Sequence, residues 1–161
     1  MKIIAMTLIT ISFFTSVISN ESIAHSNENE KHRVYPKDSG AETGAGKAIT
    51  AFHRAIKLGH KRKARSLLDD NITIFKGEYV ENSADEYANN RMIDDMKYQA
   101  KVKTEVLTHS VNVIGDMAYS ISHTKSTGQV SMKYINSESL ETMVLKKNKN
   151  KWKIVHIHWS K

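Results

Sequence analysis

The chain contains no cysteine, so it can form no disulfide, bind no metal through thiolates and carry no lipid on a lipoprotein-type cysteine. An oxidising compartment is tolerated rather than exploited, and stability has to come from the core. Proline occurs once, at Pro36, and the seven glycines form neither a phosphate-cradling loop nor a dinucleotide fingerprint. No nucleophile motif is present either, which disfavours the usual enzymes of energy metabolism. Aromatic residues make up 7 % of the chain; the basic run Lys57–Arg65 holds none of Phe, Tyr or Trp and Lys146–Lys153 only Trp152. Neither run therefore shows the interleaved stacking aromatics of a single-strand nucleic-acid binder. The net charge of +7 is concentrated in these two runs, which read as a polar helix side and a turn, and no nucleic-acid partner is expected.

A chain of 161 residues has room for one domain. Its start reads as a signal peptide over residues 1–24: Lys2 is the positive n-region, Ile3–Ile18 is an uncharged apolar run, and small-residue cleavage patterns place the mature start near Asn20 or His25. The apolar run is shorter than the roughly 20 residues a spanning helix needs, so an exported, periplasmic or secreted protein without stable membrane insertion is expected. Residues 25–45 are polar and read as a flexible lead.

Beyond the lead, Ala48, Ile49, Phe52, Ala55 and Ile56 recur at helical spacing and Gly59 is a natural stop. Ala64, Leu67 and Leu68 mark a second, shorter helix. Two strand-like pieces, Ile72–Phe75 and Glu78–Glu81, flank Lys76-Gly77 as a hairpin. Ser83-Ala84-Asp85-Glu86 has the form of a capping box and opens a third helix to about Gln99, whose stripe Ala84, Tyr87, Ala88, Arg91, Asp95, Tyr98 is unusual in carrying two charges. Long strand-like runs follow: Val102–Ile114, Met117–Thr127, Ser139–Lys147 and Lys151–Ser160, with turn chemistry at Gly115-Asp116 and Asn148-Lys149-Asn150 and an interruption at Gly128. Helices first and a meander of long strands second is an α+β layout, a cone-shaped curved antiparallel sheet with three N-terminal helices packed on one face.

This order, ending in Trp152-Lys153-Ile154-Val155-His156-Ile157-His158-Trp159-Ser160, resembles the SnoaL-like and ketosteroid-isomerase-like branches of the nuclear transport factor 2-like superfamily. The closing W-x-I-V-H-x-H-x-S also looks like the end of the association domain of calcium/calmodulin-dependent protein kinases. Phe52, Leu67-Leu68-Asp69-Asp70, Gly77 and Glu81 fit an exported subgroup, and the resemblance runs over residues 46–161. In similar exported proteins the third helix carries a histidine followed four residues later by an aspartate, where this chain has Arg91 and Asp95. The resemblance implies a pocket between helices and sheet and a homodimer packed through the uncovered sheet face, and it spans isomerases, cyclases, dehydratases and binding modules.

Three sets of residues carry candidate chemistry. Arg91 and Asp95, four apart on a helix with Tyr98 a turn further on, form either an ion pair or a site in which Asp95 acts as a base; a guanidinium beside the carboxylate favours binding over strong basicity. His156 and His158 alternate onto one strand face, on this reading with Trp152, Ile154 and Ser160; they are either structural or, as the resemblance implies, hydrogen-bonding groups in or beside the pocket. Metal binding there would need a third ligand from His109, His123, Glu81 or Asp95. Glu81, at the end of the hairpin, is either a solvated turn-end carboxylate or a group that reaches into the pocket, and the resemblance favours the second. The expectation is an exported, non-catalytic or weakly catalytic small-molecule-binding protein without a cofactor. An isomerase, cyclase or hydro-lyase with an Asp95 base and an envelope metal-handling protein using His156 and His158 are the alternatives.

Overall fold

The computed structural model describes residues 38–161; the expected signal peptide, its cleavage sites and the lead up to residue 37 lie outside the described residues. Helix α1 (Gly44–Lys57) starts where the Thr43 hydroxyl accepts the Gly46 N–H at 3.0 Å, and its periodic residues Ile49, Phe52, Ala55 and Ile56 enter the core. Gly59, at φ +70°, turns the chain into α2 (Lys61–Leu67). Strands β1 (Leu68–Lys76) and β2 (Tyr79–Glu81) form the expected hairpin. Ser83 caps α3 (Ala84–Asn89), accepting the Glu86 N–H at 3.0 Å, while the Glu86 carboxylate takes the Asn82 N–H at 2.7 Å.

The expected single third helix is two. It breaks at Asn90 (φ −111°, ψ −97°) and resumes as α4 (Arg91–Lys101). Asn89 and Asn90 are adjacent amides of low helix preference, and the Asn89 side chain is drawn sideways to the Lys61 ammonium at 3.2 Å. The break turns Met92 and Met96 into the core and re-aims Arg91 and Asp95.

Strands β3 (Val102–Ile114), β4 (Met117–Val130), β5 (Lys133–Asn148) and β6 (Lys151–Ser160) complete a curved six-stranded sheet of order β2-β1-β6-β5-β4-β3. The sheet is antiparallel except between β1 and β6, which run parallel. Gly128 does not end its strand: β4 and β5 stay in register through Gly128 opposite Ile135, up to a tight turn at Ser131-Met132. The glycine is required because the α4–β3 junction crosses here, and a Cβ at residue 128 would stand 2.7 Å from the Lys101 carbonyl oxygen.

Order begins earlier than the lead expected to run to residue 45. Ser39 pairs with the exposed edge strand β3 through Ser39 N–H to His109 O (3.0 Å) and Val111 N–H to Ser39 O (2.8 Å), and Asp38 meets His109 Nδ1 at 2.9 Å. An unpaired sheet edge is thereby covered in its middle.

All four helices lie on one face of the sheet, around Phe52, Tyr87, Met92, Ile74, Met143, Leu145, Ile154 and Ile157. Gly46 sits in this packing beneath the lead, where an added Cβ would stand 2.6 Å from the Ala41 carbonyl oxygen. Gly46→Ala gains helix propensity yet overfills the contact, and is expected to cost a net ~1–2 kcal/mol, read as a lower denaturant midpoint at unchanged slope. Among the described residues no helix is long and apolar enough to cross a membrane.

Candidate functional site

Strand β6 decides which side chains face the helices. The β5–β6 register shifts between Val144 opposite His156 and Leu145 opposite Ile154, so Val155 is an extra residue and the alternation changes phase there. Ile154 and Ile157 both point into the core, and Trp159 continues on that inner face. Strict alternation had grouped Ile154 with the histidines; the bulge separates them. His156 and His158 stand on the opposite, uncovered face, their rings 5.3 and 6.2 Å from that of Phe75.

Trp159 is the floor of the polar interior. Its indole N–H donates to Glu141 Oε2 at 2.7 Å, and the same carboxylate meets His53 Nε2 at 2.9 Å and the Ser122 hydroxyl at 3.4 Å. Glu141 is buried, in phase with Met143 and Leu145 on the inner face of β5. Burial alone would raise its carboxyl, but the charge of His53 and the hydrogen bonds from His53, Trp159 and Ser122 carry it below the ordinary carboxylate range. Burial likewise works to lower His53, and the Glu141 charge and hydrogen bond overcome it, so the imidazole is held above its usual value.

On the other side of Trp159 the Tyr87 ring lies 6.1 Å away and the Lys76 ammonium 5.4 Å from the indole centroid. Both converge on Asp95: the Tyr87 hydroxyl donates to Oδ2 at 2.9 Å and the Lys76 ammonium pairs with Oδ1. Burial first, then the Asp95 charge, pushes the Tyr87 phenol well above its ordinary value, so it stays a protonated donor.

Arg91 does not pair with Asp95. A helical side chain leans toward its helix N-terminus, and Arg91 is the first residue of α4, so its guanidinium projects back off the helix. There Nε meets Glu81 Oε1 at 2.8 Å and Cζ lies 3.2 Å above the Tyr79 ring centroid. Glu81 is buried, and its second oxygen has no hydrogen-bond partner among the described residues. Burial raises the Glu81 carboxyl against the lowering pull of Arg91, and nearby Asp95 adds to the rise.

The fold thus brings Glu81, Arg91 and Asp95 together and sets His156 and His158 apart from them. Tyr98 lies half-buried one turn beyond Asp95, and none of these hydrogen bonds reaches it. Lys76, Tyr79, Tyr87, Trp159, Glu141 and His53 complete the site and were not singled out from sequence as site residues. Glu141 carried a usable signal, a carboxylate two residues before Met143 and four before Leu145 in a strand-like run. His109 is engaged by Asp38 and His123 by Glu138, at 2.9 and 2.8 Å. Among the described residues no three His, Asp or Glu side chains converge as a metal site would require.

Residues 46–161 match the calcium/calmodulin-dependent protein kinase II association domain family over their whole length. The chain belongs to that family. No curated protein matches it. Among solved structures this association domain is similar to a provisionally assigned ketosteroid isomerase from Shewanella frigidimarina, at 36 % identity and TM-score 0.74, covering 76 % of this chain and 98 % of that one. The association domain of the C. elegans kinase is 20 % identical with a TM-score of 0.57, covering 71 % of this chain and 91 % of that one. A provisionally assigned dehydratase of the nuclear transport factor 2-like family from Streptomyces avermitilis is also 20 % identical, with TM-score 0.61 and the same coverages. The last two share the fold, and all three fit the α+β expectation of helices on a curved six-stranded sheet.

Proposed function

We propose that the chain is an exported, self-associating binding module that holds a small organic anion over Trp159, non-catalytic or weakly catalytic. The observation that carries this reading is that the interior carboxylates Asp95 and Glu141 are already held by donors. Both oxygens of Asp95 already accept donors, from Lys76 and Tyr87, and Glu141 is held by His53, Trp159 and Ser122. A general base has to bring an oxygen to the substrate proton, and both Asp95 oxygens are turned toward Lys76 and Tyr87. The cations, in contrast, keep exposed surface: 39 % of the Lys76 side chain, 33 % of Arg91 and 47 % of His53. An anionic head can reach these donors while an apolar body lies on the indole.

Native mass spectrometry of the protein purified from the envelope fraction tests retention, and calorimetry with aliphatic and aromatic carboxylates tests the chemistry. A retained organic mass and saturable binding, weakened about 10- to 100-fold by Lys76→Met, are expected, the usual effect of losing one charge-assisted hydrogen bond. An empty site indifferent to every acid would overturn the reading. Steroid isomerisation or a dehydration abolished by Asp95→Asn would replace it with an enzyme that uses Asp95 as base.

A further inference from the structure

After Glu141 the sequence contains no further acidic residue up to Lys161, and Lys146–Lys153 holds five lysines. The β5–β6 turn places Lys149 and Asn150 at positive φ (47° and 62°), which sets Lys149 at the tip of the hairpin, and both Lys149 and Lys151 are exposed. Among the described residues Lys146, Lys147, Lys149 and Lys151 enter no ion pair.

Two other segments meet this tip. The β3–β4 turn lies at the same end of the sheet, with Met117 opposite Lys146 and the Lys147 N–H donating to Asp116 O at 2.8 Å. It exposes Ile114 at 68 % and Met117 at 42 %. The end of α2 is tied in by the Lys153 ammonium, which donates to the Ser66 carbonyl. A hollow of about 290 Å3 lies between the start of β1 and the β5–β6 turn, lined by Leu68, Asp69, Asp70 and the lysines 149, 151 and 153. Of its two acids, Asp70 is paired with Arg65 at 2.7 Å, while Asp69 accepts only the Asn71 N–H at 3.1 Å and keeps its charge beside the lysines.

We propose that this end of the sheet is a docking surface for an anionic phospholipid bilayer, with the lysines on headgroup phosphates and Ile114 and Met117 entering the interfacial layer. Each basic run alone is an ordinary solvated stretch. Here the five lysines of Lys146–Lys153 outnumber the nearby acids Asp69, Asp70 and Asp116, and this excess of positive charge stands beside exposed aliphatic side chains at one tip, a combination that suits a charged surface with an apolar layer beneath it. A nucleic acid offers phosphates but nothing for Ile114 and Met117.

Flotation of the full chain with phosphatidylcholine vesicles, with and without phosphatidylglycerol, tests the proposal. The ratio of the two partition coefficients is the readout, because the apolar N-terminal stretch contributes to both vesicle types. A lysine near an anionic surface contributes about fivefold, so Lys149→Gln/Lys151→Gln should lower the ratio about 25-fold. Added salt should lower it too, and Ile114→Ser should weaken anionic-vesicle binding without altering its salt dependence. These positions are exposed and the variants should melt as the parent does; Lys146→Gln/Lys147→Gln serves as a second pair if the first fails to fold. Equal partition into both vesicle types, a ratio unchanged in the folded double variant, or displacement from vesicles by duplex DNA would overturn the proposal.

Discussion

Glu141→Ala should lower folding stability by about 3 kcal/mol and the melting temperature by about 10 °C. The substitution leaves the Trp159 N–H and the Ser122 hydroxyl unpaired in a buried setting and opens a void beneath His53, and each of these costs free energy. Glu141→Gln keeps the shape and one acceptor oxygen, so it should cost roughly half as much. The pair also leaves a pH signature. His53 is raised on folding, so its contribution is complete below its unfolded value of about 6.5 and fades as pH rises through the folded value. Glu141 is lowered, so its contribution is complete above about 4.3 and is lost as pH falls through its folded value. The stability difference between parent and Glu141→Ala should therefore be greatest between about pH 4.5 and 6.5 and narrow on either side. His53 keeps 47 % of its side chain in solvent, which softens the alkaline slope. Denaturant titrations across this range check both signs; a difference independent of pH would mean that the pair holds no charge.

The second large effect concerns assembly. The uncovered sheet face exposes Phe75 (39 %), Tyr119 (38 %), Ile121 (44 %) and Leu140 (52 %). Strand register gathers them: Tyr119 lies opposite Val144, Ile121 opposite Thr142, Leu140 opposite His123, and Phe75 opposite His158. A hollow of about 270 Å3 lies beside Ile121 and Leu140, toward Thr108, His109 and Ser110 of β3. A wide apolar face of this kind needs a cover, and the proposed cover is the same face of a second copy. A twofold interface meets every substitution twice. Ile121→Asp should therefore weaken dimerisation by at least about 100-fold, since a buried unpaired carboxylate on each side costs on the order of 3 kcal/mol per dimer. Sedimentation equilibrium of parent and variant reads the shift. A parent monomeric at all concentrations, or a variant that assembles equally well, would remove the face from the proposal.

Much of the fold was legible because period and turn chemistry are local. The apolar spacing of α1, the capping box at Ser83–Glu86, the Lys76-Gly77 hairpin and the bounds of β3 and β6 all follow from neighbouring residues and are as expected. The misreadings share one cause, a contact with something distant in sequence. The break at Asn90 goes with a Lys61 ammonium on the neighbouring amide, and Gly128 is a strand residue because the α4–β3 junction crosses over it. The phase of β6 depends on one extra residue, Val155, whose presence only the pairing with β5 reveals.

The site divides along the same line. Sequence alone determined an α+β chain of helices followed by long strands, without thiol chemistry, and singled out Arg91 and Asp95, because composition and periodicity are properties of the chain itself; Glu81 was added by the family resemblance. Tertiary structure decided their partners. Helix geometry permitted an Arg91–Asp95 pair, but the direction of a side chain at a helix N-terminus gave Arg91 to Glu81, and a hairpin lysine and a buried tyrosine took Asp95. It also decided that Trp159 and Glu141 line the interior while His156 and His158 face away, since one bulged residue reverses every side chain beyond it.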